Sequence, residues 1–181
     1  MVLLEAGLLL LVLRSLGRLQ QRGMFSLDHA PPFSNGGLNV GEQAPAFSAT
    51  DLEGRLVEFD RLLGRKCVLA FVSPQCSACV YTLDALNEVA QRERDLNVVV
   101  VGGTDLEENR RYATAHKAVM PILTPATDTV RELYRIKGVP YVFALDSAGV
   151  VRAAGIVNEA KHLTGLLAAA YSPVAIAHEI A

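Results

Sequence analysis

The stretch SPQCSACVYTL, residues 73–83, holds two cysteines, Cys76 and Cys79, two residues apart. Thiols at that spacing can close a disulfide, share a metal, or sit inert in a core. An unbroken apolar run, CVLAFVS (67–73), leads into the pair and reads as a strand buried on both faces. Beyond it Val80, Leu83, Leu86 and Val89 recur at helical spacing. The pair therefore stands where a strand gives way to a helix N-terminus. Unpaired N–H groups and the positive end of the helix dipole stabilise a thiolate there, which can lower the pKa of the first cysteine by about one unit or more. Cys79 falls about one helical turn beyond Cys76, within disulfide reach. On this reading Cys76 is the exposed nucleophile and Cys79 the buried resolving thiol. A structural zinc takes four ligands, usually from two such pairs. Only Cys67 remains, and His29, His116, His162 and His178 form no ligand cluster. Neither a metal nor a cofactor is expected.

Elements on both sides must hold this junction in place. FSATDLEGRLVEF (47–59) reads as two short strands around a turn at Asp51–Gly54. NVVVVGG (97–103) is a second buried strand, DLEENRRYATAHK (105–117) a polar helix with a solvated face, and PILTP (121–125) a short strand. TDTVRELYRI (127–136) is helical, with Thr127 or Asp128 as N-cap. YVFALD (141–146) and VVRAAGI (150–156) are strands joined by a tight Ser147-Ala148-Gly149 turn. A helix over residues 158–170, capped by Asn158, closes the domain. Strands alternating with helices, then a hairpin, then a helix, predict an α/β domain of three layers around a mixed sheet.

Composition narrows the function classes. Net charge is −2, from 17 basic and 19 acidic residues, so no basic excess points to nucleic acid. There is no Trp, and three cysteines are too few for a disulfide framework. The 181 residues suggest one domain with extra sequence. Residues 1–22 are the extra part, and residues 1–13, MVLLEAGLLLLVL, are nearly all apolar. Thirteen helical residues reach about 20 Å, short of a hydrocarbon core of roughly 30 Å. With no basic region ahead and no small-x-small cleavage site behind, the segment is a poor signal peptide. It is expected to be a membrane anchor, possible truncation included. Arg14, Arg18 and Arg22 lie on its domain side, which by the positive-inside rule places the domain in the cytoplasm. Residues 23–39 form a Gly/Pro-rich linker, 40–170 the compact domain, and 171–181 a loose tail.

The stretches GEQAPAFSATDLEGRLVEFDRLLGRKCVLAFVSPQCSAC and GVPYVFALDSAGVVRAAGIV resemble the thioredoxin superfamily. Within it they are similar to the membrane-anchored TlpA and AhpC/TSA-like group. The FVSPxCxxC run, VNEAKHL, and the hydrophobic start before a Gly/Pro-rich linker look MauD-like, after the accessory proteins of methylamine dehydrogenase maturation. The resemblance implies a thioredoxin-like fold with an N-terminal β-hairpin extension. It implies a cis Val139-Pro140 peptide facing the cysteines, with Val139 offering its backbone to a partner's extended chain. Ser73 and Pro74, just ahead of Cys76, join Val139 and Pro140 as expected substrate contacts. It also implies a membrane-tethered thiol–disulfide oxidoreductase outside the cytoplasmic membrane, against the arginine bias. Its partner would be a disulfide-bearing protein such as a methylamine dehydrogenase small subunit.

The chain departs from that pattern in ways that bear on function. Many reducing members place an acidic residue six positions before the first cysteine, and here that residue is Ala70. Cys67 is expected to be a buried apolar residue rather than a third redox thiol. His116 is expected at the surface, and Tyr141 either lines the site or packs. Two other functions compete. A peroxiredoxin-type peroxidase carries Pro-x-x-x-Thr-x-x-Cys, which becomes Leu69, Ser73 and Cys76 here, keeping the hydroxyl and losing the proline. A non-enzymatic maturation chaperone would use the cis-proline groove alone, leaving the cysteines incidental.

Overall fold

The computed structural model describes residues 36–172. The expected anchor (1–22), the linker before Gly36 and the tail beyond Ser172 lie outside the described residues. β1 (Ser48–Thr50) and β2 (Leu56–Glu58) form the expected N-terminal hairpin, paired antiparallel. Asp51 Oδ1 closes its turn by accepting from the backbone N–H groups of Glu53 and Arg55, at 3.0 and 2.8 Å.

The central sheet has the order β5 (Ile122–Leu123), β4 (Asn97–Val101), β3 (Cys67–Phe71), β6 (Tyr141–Leu145), β7 (Val151–Gly155). β4 runs parallel to β3 and to β5, whereas β6 is antiparallel to β3 and to β7. Four α-helices accompany it: α1 (Ala78–Arg92), α2 (Leu106–Ala115), α3 (Thr129–Leu133) and α4 (Ala160–Tyr171). Side chains alternate across a strand, so β3 feeds two cores at once. Cys67, Leu69 and Phe71 pack with Ala49, Phe59, Val130 and Tyr134 on one face. Val68, Ala70 and Val72 pack with Cys79, Leu83, Leu86, Tyr112 and Leu163 on the other. Coverage of both faces is the reason these strands read as continuous apolar runs, and it yields the three layers and mixed sheet expected of a thioredoxin-like α/β fold.

Several local expectations are corrected. Asn158 does not cap α4. The cap position belongs to Glu159, which makes no side-chain cap bond. Asn158 stands one residue too early to reach the helix N–H groups, and its Oδ1 lies 2.8 Å from His162 Nδ1 instead. Asp128 occupies the cap position of α3 in a helical conformation without capping, while Thr127 Oγ1 accepts weakly from Thr129 N at 3.4 Å. The fold also reaches past both expected bounds. Gly36 bridges to Ile136 and Leu38 is buried, although both fall in the linker as drawn from sequence. Tyr171, assigned to the tail, ends α4 and donates its hydroxyl to the carbonyls of Cys67 and Leu145 at 3.1 and 2.9 Å. Gly37 is needed where it stands: its φ of 94° is left-handed, and a Cβ there would strike the Tyr141 ring.

Candidate functional site

The site grows from the end of β3. Val72 N donates to Val101 O at 3.0 Å, which carries the chain beside β4 for one residue past the strand. The backbone then turns: Cys76 N donates to Ser73 O at 3.0 Å and Cys79 N to Cys76 O at 3.1 Å. These turns run into α1, whose N-cap position is Ser77. Cys76 is thus delivered just ahead of the helix and Cys79 to its second residue. Their sulfurs are joined as a disulfide, with the Cα atoms 5.3 Å apart. Cys76 is half-buried, whereas Cys79 is sealed at 0% exposure, the asymmetry expected of an attacking and a resolving thiol.

The loop before β6 closes the other side. The Val139-Pro140 peptide is cis, and the Val139 carbonyl oxygen lies 3.6 Å from Cys76 Sγ. A reduced Cys76 can donate its S–H to that oxygen. Val139 is half-buried and Pro140 buried. The structure therefore brings Cys76, Cys79, Val139 and Pro140 to one end of the sheet. Ser73 and Pro74 flank them, and the Ser73 hydroxyl is turned into its own loop, donating to Gln75 Oε1 at 2.6 Å. Pro74 and Gln75 form one wall of an open cleft of about 330 Å³, with Glu108, Arg111, Tyr112 and His116 on the other.

Three side chains that shape this loop were not singled out from sequence. Gln75 Nε2 donates to Glu108 on α2, tying the cysteine loop to that helix. Asn109, fully buried, accepts from Gly103 N at 3.1 Å and donates to Gly103 O at 2.8 Å and Thr124 Oγ1 at 2.9 Å. It welds the turn after β4 to the residue after β5. Arg131 reaches from α3 to donate from Nη2 to Val72 O at 3.0 Å. Only Asn109 left a trace in sequence, as a short amide residue soon after Gly102-Gly103, where a Cβ on Gly102 would collide with it.

The other expectations resolve individually. Cys67 opens β3, at the strand end away from the pair, and burial pushes its thiol up to about 12. It is an apolar core residue. Ala70 is buried among apolar side chains, and no Asp or Glu is buried among the described residues. The Tyr141 hydroxyl donates to Gly36 O at 2.7 Å, and its ring stands 5.0 Å from that of Phe143, so it packs. The His116 ring lies against Tyr112 at the cleft. Among the described residues no three His, Cys, Asp or Glu side chains converge as a metal site, and no helix is long and apolar enough to cross a membrane.

The sequence model of the AhpC/TSA family matches residues 40–158, which span the hairpin, the disulfide loop and the cis-proline loop. The chain belongs to the AhpC/TSA family. It is 30% identical over 170 residues to the methylamine utilization protein MauD of Methylorubrum extorquens, covering 91% of this chain and 78% of that relative. It is 24% identical over 118 residues to the thiol-disulfide oxidoreductase ResA of Bacillus thuringiensis, covering 63% of this chain and 68% of that one. Its fold matches the thioredoxin domain of a thiol-disulfide oxidoreductase from Bacteroides vulgatus with a TM-score of 0.64 at 21% identity, over 70% of this chain and 96% of that one. The chain is a thioredoxin-like thiol–disulfide oxidoreductase resembling MauD.

Proposed function

We propose that Cys76 is the attacking thiol and Cys79 the resolving thiol of an enzyme that exchanges disulfides with a protein partner. We further propose that residues 1–22 tether it to the cytoplasmic membrane with the domain on the outer side. The observation that carries the chemistry is the asymmetry of the pair: one cysteine half-buried with its sulfur beside the Val139 carbonyl, the other fully buried. In the oxidising direction a partner thiolate attacks Cys76 Sγ, the Cys76–Cys79 bond breaks, and Cys79 leaves with the electron pair and takes a proton. A second partner thiolate then attacks the partner's own sulfur in the mixed disulfide, and Cys76 leaves as thiolate. Two electrons pass from the partner, which gains a disulfide, to the pair, which becomes a dithiol. The reverse sequence reduces or isomerises a partner's disulfide.

The likeness to MauD supports a partner of the methylamine dehydrogenase kind, its disulfide-bearing small subunit, with Val139, Pro140, Ser73 and Pro74 flanking the partner's chain. The same geometry argues against a peroxidase. The Ser73 hydroxyl, where a peroxidase of this outline carries threonine, is committed to Gln75.

The test is trapping. Cys79→Ser should accumulate a mixed disulfide between Cys76 and the partner in cells, whereas Cys76→Ser should not. If Cys76→Ser/Cys79→Ser still supports maturation of the partner, the chaperone reading replaces this one. Alkaline phosphatase fused after Ser172 should be active if the domain is outside, and inactive if the arginine bias prevails.

A further inference from the structure

Arg131 carries a charge into the protein and meets no carboxylate there. Its Nη2 donates to Val72 O, and its Nε is buried with no hydrogen-bond partner. None of the ion pairs among the described residues includes it. Its neighbours Asp128, at the cap position of α3, and Glu132 are exposed and make no ion pair with it among the described residues. A half-buried guanidinium held by one neutral carbonyl is poorly compensated, because desolvating a charge is costly unless an opposite charge or full hydrogen bonding offsets it.

The carbonyl it holds belongs to the residue that opens the cysteine loop. Val72 is followed by Ser73, whose own carbonyl takes the Cys76 N–H. A negative charge on Cys76 would face unfavourable groups on two sides. The Val139 carbonyl oxygen, 3.6 Å away, presents the negative end of its dipole. Glu108 is linked to the loop through Gln75. Across the adjacent cleft stand Arg111 and His116, beyond Pro74 and Gln75. In favour of the thiolate are the N-terminal end of α1 and, through its hold on the Val72 carbonyl, Arg131.

We propose that the Arg131 guanidinium is the counter-charge of the Cys76 thiolate, so that it stabilises the reduced pair and makes its disulfide a stronger oxidant. The inference rests on the oxidoreductase reading above. The bonds exchanged and the two electrons passed are those already described. Arg131 gives up no proton and forms no covalent bond. It lowers the free energy of the state in which Cys76 leaves, or attacks, as the anion.

The experiment compares the full wild-type chain with Arg131→Gln, which removes the charge and keeps an amide donor, and Arg131→Lys, which keeps the charge. Each protein is reduced and pulsed with iodoacetamide across a pH series, with Cys76 occupancy read by peptide mass. Each is also equilibrated in graded glutathione buffers. Arg131→Gln should move the pH midpoint of Cys76 alkylation upward, slowing the reaction about tenfold at pH 6 while leaving the high-pH plateau unchanged. Its equilibrium constant for reduction should fall about tenfold, a potential about 30 mV more negative. Arg131→Lys should stay within about threefold of wild type in both. An unchanged midpoint in Arg131→Gln, or an Arg131→Lys that behaves like Arg131→Gln, overturns the proposal. Should Arg131→Gln fail to fold, NMR of the wild-type protein decides. The Arg131 Nε–H resonance of the reduced chain should titrate with the Cys76 midpoint, and a flat resonance overturns the proposal. If the wild-type pair never interconverts between dithiol and disulfide in the glutathione series, the oxidoreductase reading itself falls. If it does, an indifferent Arg131→Gln removes only the role of Arg131.

Discussion

The three cysteines provide a direct check, because their environments differ by orders of magnitude. Burial raises the Cys67 thiol to about 12, so at pH 7 about one molecule in 10⁵ carries the thiolate, the reactive form. A cysteine of ordinary pKa, about 8.5, is roughly 3% thiolate at the same pH. Charge state alone therefore favours an ordinary cysteine over Cys67 by about 3,000-fold. Access adds to the difference, because Cys67 and Cys79 are both at 0% exposure while Cys76 is half-open. The perturbation is full reduction of the chain followed by a short pulse of iodoacetamide at pH 7. The assay is digestion and mass spectrometric counting of label at each cysteine. Cys76 should take essentially all of the first equivalent, and Cys67 should stay below about one part in 10³ while the protein remains folded. Label at Cys67 or Cys79 within tenfold of that at Cys76 would refute the assignment of nucleophile, resolving thiol and core residue together.

Two stability predictions follow from the same packing. Asn109→Ala removes three hydrogen bonds and strands the Gly103 N–H and C=O beside the disulfide loop; at about 1 kcal/mol per bond it should destabilise the fold by about 3 kcal/mol in urea unfolding, and a change below about 0.5 kcal/mol would contradict the clamp. Cys67 has its folded pKa raised from 9.0 to about 12, so the folded protein holds the thiol proton that the unfolded chain releases; the associated stability is complete below pH 9 and is lost between pH 9 and 12, at up to about 1.4 kcal/mol per pH unit. Cys67→Ala should therefore show a shallower fall across that window than wild type, and parallel curves would mean that Cys67 is not so deeply desolvated.

The fold was legible because its core obeys two simple periods. Continuous apolar runs at 67–73, 97–103 and 141–146 belong to strands covered on both faces, and the three-residue recurrence from Val80 to Val89 is the buried stripe of α1. The cysteine pair was legible for a different reason: strand, short loop and helix are contiguous in sequence, so spacing alone sets their geometry. Other features depend on parts distant in the chain. Gln75 finds Glu108, Val72 finds Arg131, and Tyr171 finds Cys67 and Leu145, at separations of 26 to 104 residues. A polar residue that satisfies a remote backbone group looks, in a single sequence, like any other solvated polar residue. The misplaced cap at Asn158 is a local version of the same problem. A one-residue shift in the helix start turns a cap into a side-chain contact with His162.

The missing carboxylate at Ala70 and the unmatched guanidinium of Arg131 bear on the same quantity, the balance between dithiol and disulfide. A buried carboxylate below the pair would repel a thiolate and accept the proton of Cys79, both useful to a protein that delivers electrons. Here the strand beneath the pair is wholly apolar, and a positive charge holds the carbonyl of the loop's opening residue. The turn holding Cys76 begins one residue after the carbonyl that Arg131 grips. At an effective dielectric of about 20, two unit charges about 10 Å apart attract by about 1.7 kcal/mol. A guanidinium at such a range would supply about one pKa unit of thiolate stabilisation, alongside the N-terminal end of α1 and against the Val139 carbonyl and Glu108. With the proposed role for Arg131, the disulfide is a stronger oxidant than it would be without that charge.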